Sequence, residues 1–477
     1  FGAESLTNTT TASNNSAFGY RAMKETVTGT ENAAFGAFAL QENLASYNSA
    51  FGDQCLDANT TGTRGTGVGN NALTANTTGN YNTAVGDAAI ASNTTESDNT
   101  AVGRQALTAS ATGDDNVAIG AYALYTADGA SHNTAVGKSA LYANTTGNNN
   151  TAIGRNAAAA ITTGQYNTAV GAYALDAMTT GNSNTAVGYI ALGKNTSGIR
   201  NCAFGKSAGQ ELTTGGANTL IGFDAAGNLS TGSANTVVGR SSGVGITDGT
   251  QNVIIGAECQ GSGNPSNQTM VGYLAGATAA GGANCGFGMM ALYGLSTGTD
   301  NVAIGKQALQ GVTTGSNNMG IGLDAGRSGS PSGNISTDSN RICIGNNSHA
   351  DAFIKVSFTV TSDARDKTDI QDFNYGLSWI KKLRPVTYRW DMRSNYENGI
   401  PDGSKKDTRI NIGLLAQEEL EVEKEHGFAN NEDDMLITTE NNEGNYGMKY
   451  ERIVPILINA VKELSAEVEQ LKSKLNN

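Results

Sequence analysis

Charge is scarce in this 477-residue chain: Asp, Glu, Lys and Arg make up 15% of it, against roughly a quarter in ordinary globular proteins. Low charge is common in membrane proteins, but no run of about 18 apolar residues is present. Asn and Thr are also too frequent for a lipid-spanning segment, so no membrane insertion is expected. The few charges sum to −13, which argues against a nucleic-acid partner because a phosphate backbone needs a basic face. Histidine is nearly missing. His132, His349 and His426 lie far apart, which argues against a histidine-based catalytic triad. Cysteine is sparse and odd in number, at Cys55, Cys202, Cys259, Cys285 and Cys343, with no C-x-x-C spacing. That pattern suggests neither a disulfide framework nor a zinc site, and no metal or cofactor is expected. Proline numbers 5 against 62 glycines.

What the chain does have is a repeat. An aligned glycine recurs from Gly2, Gly19, Gly36 and Gly52 through to Gly322 and Gly345, in steps of 17 with three of 16 and a last one of 23. The opening "FGAESL" is already the middle of a unit, without Met or signal peptide, so the natural N-terminus is expected upstream. The unit reads N-T-A-V-G-x-x-A-L-x-x-x-T-T-G-x-x, as in "NTAVGYIALGKNTSGIR" at 184–200. Val, Ile or Phe before the glycine, flanked by Ala and Thr, suits a short strand with small and large side chains on opposite faces. The glycine permits a bend, Ala-Leu supplies a second apolar segment, and Thr-Gly the next turn. The Asn four residues before each glycine (Asn82, Asn99, Asn116) is placed to stack on its copies as an amide ladder. Gly, Asn and Thr at this density oppose helix. Seventeen residues bury no core alone, so the units must stack into a solenoid, and twenty-one coils spaced by a strand separation give a rod on the order of 100 Å. Four of the cysteines replace small residues three before or three after the aligned glycine, and read as buried free thiols.

After Gly345 the composition changes. Roughly 40 of the 73 charged residues and both tryptophans fall in the last 132 positions. "YGLSWIKKLRPVTYRW" (375–390) predicts a short helix ending before Pro385 and then a strand; "INIGLLAQEELEVE" (410–423) predicts a strand and then a helix. In the tail, Val454, Leu457, Val461, Leu464, Val468, Leu471 and Leu475 alternate steps of three and four. That is a coiled-coil seam, expected over 451–477, which either pairs with its copies or packs on its own domain. At "TSDARDKTDI" (361–370) a serine and a lysine stand five apart among carboxylates. With no histidine nearby, a desolvated lysine can act as base to the serine, because an ordinary lysine is charged near neutrality. A five-residue separation fits neither a helix face nor a strand face, so the segment must curl to join them. The alternative is a surface turn in which Lys367 pairs with Asp363.

Two resemblances follow. The repeats of residues 1 to about 345 are similar to the head repeats of trimeric autotransporter adhesins, though their period is longer. "TSDARDKTDI", "KKLRPVTYRW", "IGLLAQE" and "YERIVPILINAVKEL" resemble, in that order, the endosialidase-type intramolecular chaperone domain of phage tail fibres and spikes. That second resemblance implies a domain at 362–477 after a junction at 346–361, which trimerises the fibre and then cuts itself off. Carried over, Ser362 is the nucleophile, Lys367 its base, Asp363 and Arg365 the supporting motif positions, and Thr361–Ser362 the cut bond. Asp366 departs from the family pattern and puts a carboxylate beside Lys367, so slow cleavage is expected.

The expected fold is mainly β: a parallel β-solenoid or β-roll of about 17-residue repeats in a homotrimeric fibre, its Val, Ile and Phe positions buried. A small α+β chaperone domain ending in a coiled-coil helix completes it. The expected function is a structural viral fibre for host attachment, located on the virion and made in the host cytoplasm. Its expected partners are its own copies, a cell-surface receptor or glycan, and an upstream virion attachment protein. A bacterial surface adhesin is the alternative. A glycan-degrading spike is a third reading, weakened because the repeat holds only about 20 acidic residues, mostly at non-recurring turn positions, whereas glycoside hydrolysis needs paired carboxylates.

Overall fold

The computed structural model describes residues 2–109, 113–349, 351–355, 360–441 and 444–476. It divides into two compact units, residues 1–319 with 337–341, and residues 320–336 with 342–477. The chain is mainly β, a parallel β-solenoid followed by a small α+β region that ends in a helix.

Each coil contributes one three-residue strand. From β1 (Ser16–Phe18) to β18 (Val302–Ile304) every strand pairs in parallel with the next, always in the same register. One such step sets Thr134, Ala135 and Val136 against Thr151, Ala152 and Ile153. The central residue points inward. Ala135, with Ala140 and Leu141 of the following turn, is fully buried. Ala in mid-strand sits opposite Leu in most coils; where the mid-strand residue is larger, at Leu220, Val237 and Met270, a glycine (Gly209, Gly243, Gly276) stands against it, as close packing requires.

Within a single chain the Val, Ile and Phe positions are not buried: Phe18 is 42% exposed, Ile119 40% and Ile153 41%. Strand side chains alternate, so with Ala inward the residues on either side must face out. The cysteines follow the same rule. Cys55 and Cys259 lie inside the coil, where burial pushes both thiols up to about 12. Cys343 is also buried, whereas Cys202 and Cys285 open their strands and sit half-buried on the outer side.

The second apolar segment is not a strand. Between Gly137 and Gly154, Ser139, Leu141 and Asn149 take φ of 57°, 51° and 59°, a left-handed region that ordinarily costs a side chain about 1–2 kcal/mol. Hydrogen bonds to adjacent coils offset this: Ser139 N donates to Ala121 O (3.0 Å) and Leu141 N to Ala157 O (3.0 Å). Gly137 itself, at φ 133°, lies so near the next coil that a Cβ would stand 2.5 Å from Gly154 O.

The amide ladder is present and buried. Asn184 N and Nδ2 donate to Asn167 Oδ1 at 3.0 and 3.1 Å, while Asn167 Nδ2 donates to Gly181 O at 2.9 Å. Asn167→Ala strands a buried N–H and a buried carbonyl, at about 1–3 kcal/mol each. Amide hydrogen exchange of residues 167–201 is expected to accelerate in that variant, by roughly a hundredfold for a 3 kcal/mol loss. Unchanged protection there contradicts a structural role for the ladder.

After β19 (Met319–Ile321) and β20 (Ile342–Ile344), α1 (Leu377–Ile380) leads to β21 (Val386–Tyr388), antiparallel to β22 (Asn411–Gly413). Helix α2 (Ala416–Glu425) precedes the hairpin of β23 (Thr438–Glu440) and β24 (Tyr446–Met448), and α3 spans Ile453–Leu475. Trp379, Val422, Ile437, Ile453 and Ile456 form the core.

Two carboxylates are buried beside it. Glu423 accepts from the backbone N–H groups of Leu436, Ile437 and Thr438 at 2.8, 3.0 and 2.6 Å. Glu419 accepts from Trp379 Nε1 at 2.8 Å. Burial pushes the Glu419 carboxyl from its ordinary 4.5 to about 7; the Trp379 bond opposes the shift and Glu423 adds to it. A carboxyl raised on folding favours the fold below its unfolded value, and that stability is lost as pH rises through the folded value. The domain is therefore expected to lose about 2 kcal/mol between pH 4.5 and pH 8. Glu419→Gln keeps an acceptor for Trp379 and is expected to remove this pH dependence. Denaturant midpoints at both pH values check it, and an equally steep loss in the Gln variant contradicts it.

Candidate self-cleavage site

The segment from Thr361 to Lys367 does curl. Asp363 caps a single 3-10 turn over Ala364–Asp366, its side chain accepting from Arg365 N at 2.9 Å. Arg365 folds back onto the same carboxylate, with Nη2 donating to Oδ2 at 2.6 Å and Nε at 3.2 Å. That hydrogen bonding holds the Asp363 carboxyl below its ordinary range. The turn ends where Lys367 N donates to Ala364 O at 3.2 Å. The turn folds its two extended flanks back toward each other, and Lys367 Nζ lies 2.7 Å from Ser362 Oγ.

The geometry therefore joins Ser362 with Lys367, and Asp363 with Arg365, in place of a Lys367–Asp363 pair. Thr361, Ser362 and Lys367 are all exposed in the single chain. One chain aligns a hydroxyl with an amine but leaves the amine in water, whereas a neutral lysine base requires desolvation.

Helix α3 is two-faced. Ile453, Ile456 and Ala460 are buried against the domain. Close approach is possible because residue 376 is glycine: a Cβ there would stand 2.6 Å from Ala460 N. Glu463 then accepts from Leu377 N at 2.7 Å. The seven seam residues all lie off this face, exposed from 39% at Val468 to 84% at Leu475. They do not pack on their own domain.

The interior roles of Glu419, Glu423 and Glu463 were not anticipated from the sequence. The available signal was the four-residue spacing of Glu419 and Glu423, which puts both carboxylates on one face of α2.

A family model described as chaperone of endosialidase matches residues 362–428, beginning at Ser362 itself and ending before α3. No curated protein and no solved structure matches the chain. In class, the chain is a parallel β-solenoid followed by a segment, residues 362–428, that is similar to the chaperone of endosialidase.

Proposed function

We propose that the chain is the subunit of a structural, homotrimeric virion fibre for host attachment, whose C-terminal domain drives trimerisation and then cuts the Thr361–Ser362 bond. The observation that carries this reading is the unburied α3 seam, three heptads of Val and Leu facing water on a helix whose first turns dock through Ile453, Ile456 and Ala460. A second surface supports it. The outward Phe, Val and Ile residues of β1 to β18 form a continuous apolar column, of a size that soluble monomers rarely expose. Burying each such side chain further is worth roughly 1 kcal/mol. Stacked coils offer many equivalent registers, so a device that aligns three chains has a clear use.

In the cut, Ser362 Oγ attacks the Thr361 carbonyl carbon while Lys367 takes the hydroxyl proton. The Ser362 nitrogen leaves with that proton, giving an ester that water hydrolyses to a Thr361 carboxylate and a free Ser362 amine. Packing of neighbouring chains supplies the desolvation that makes Lys367 a base. A host receptor or glycan and an upstream virion protein complete the proposed partners.

The native cysteines test the shaft interface. Cys202 and Cys285 sit on the outer strand side beside the apolar column, so copies at one level meet across a three-fold axis. Mild oxidation is expected to give dimer and trimer bands on a non-reducing denaturing gel. Cys202→Ser with Cys285→Ser removes those bands, while Cys55→Ser with Cys259→Ser leaves them. Absence of interchain species in the parent contradicts this interface.

A further inference from the structure

The last repeat step is six residues longer than the standard 17. Its extra residues make a loop pinned from within: Arg327 pairs with Asp324 at 2.7 Å, and Ser330 Oγ donates to Arg327 O at 2.8 Å. Ser330 Oγ also accepts from Gly326 N at 3.2 Å. The loop presents the carbonyl of Ser332, which accepts from Asn441 Nδ2 at 2.8 Å across 109 positions. Asn441 follows β23 in the chaperone hairpin. Arg409 Nη1, just before β22, pairs with Asp351 Oδ1 at 2.7 Å. Both contacts join residues upstream of Thr361 to residues downstream of Ser362. Residues 320–336 and 342–477 form one compact unit, so the scissile bond lies inside a unit and not at its border.

We propose that the cut does not release the chaperone: the fragment beginning at Ser362 stays docked on residues 320–355 of the shaft, held by Asn441 on Ser332 and by Arg409 on Asp351. This rests on the trimer and cleavage reading above. Each contact is weak alone. An exposed ion pair contributes about 0.2–1 kcal/mol, and a hydrogen bond about 1 kcal/mol. In a trimer they act together. A fragment held trimeric through α3 engages three shaft ends at once, and the second and third engagements are intramolecular. Such linkage raises avidity by roughly 10²–10⁴ without new contacts. The shaft end thereby keeps a cap that mends the severed chain.

The experiment uses the full chain in two forms: the parent, and a Ser362→Ala variant with a site-specific protease sequence inserted between positions 361 and 362. Denaturing gels report whether the parent cuts itself; an uncut parent overturns the cleavage reading and leaves the inserted-site arm to decide retention. After protease treatment, gel filtration in about 0.1 M salt is expected to elute fragment and shaft together. Salt near 1 M, where the screening length falls to about 3 Å, is expected to free part of the fragment. Asn441→Ala with Arg409→Glu is expected to free at least tenfold more of it in low salt, while the same variant left uncut keeps the parent's elution volume. Quantitative release from the parent sequence in low salt overturns the proposal. So does equal retention in the double variant.

Discussion

Val461→Asp with Leu464→Asp is expected to abolish trimeric fibre. Both residues stand in the middle of the α3 seam, 66% and 51% exposed in the single chain, and neither belongs to the face that docks on its own domain. In the proposed trimer they are buried against their copies. The substitution loses two apolar contacts per chain, worth about 1.5–3 kcal/mol each. It also places charges in a desolvated seam at several kcal/mol apiece, with like charges facing each other. Three heptads do not absorb a deficit of that size, so assembly and not affinity is lost. The unassembled chain retains Trp379, Ile453 and Ile456 in their core, and its helical circular dichroism is expected to persist. Normal trimer yield from this variant contradicts the seam assignment.

Lys367→Ala and Ser362→Ala are each expected to remove the fragment of residues 362–477 from denaturing gels, a fall of at least about a hundredfold in rate. The 2.7 Å approach of Nζ to Oγ is the geometry a base needs. Asp363 and Arg365 act by shaping the turn, so Arg365→Ala is expected to slow the cut and not abolish it. The proposed ester intermediate gives a further test: hydroxylamine cleaves esters and is expected to speed fragment formation in the parent and to do nothing in Ser362→Ala. Because the dyad is exposed in one chain, cleavage is also expected to fail in the Val461→Asp, Leu464→Asp variant. Parent-like cleavage by Lys367→Ala shows that another group is the base.

Much of this arrangement is legible in the repeat. The 17-residue period dictates stacking, and a polar Asn at one fixed position has few uses in a narrow coil other than the ladder seen at Asn167 and Asn184. The seam at Val454 to Leu475 is legible for the same reason, since a three-four spacing defines a stripe wherever the helix lies. The direction of the strands was harder. Alternation alone does not say which face is inside; the structure puts Ala135 in and Val136 on the outer side. The left-handed Leu141 is invisible to local propensity, because the hydrogen bonds that support it come from other coils. Glu419 and Glu423 were missed because a charged residue on a short helix is normally solvated; only the hairpin backbone and Trp379 make them interior.

Three chains are proposed to assemble through surfaces that one chain leaves exposed. Native mass measurement of the purified particle tests it most directly, compared with the same sample denatured. The account predicts a particle of three times the 48.9 kDa chain, each chain whole or in two pieces that add back to it. A particle of one chain, with the α3 seam and the strand column open to water, contradicts it.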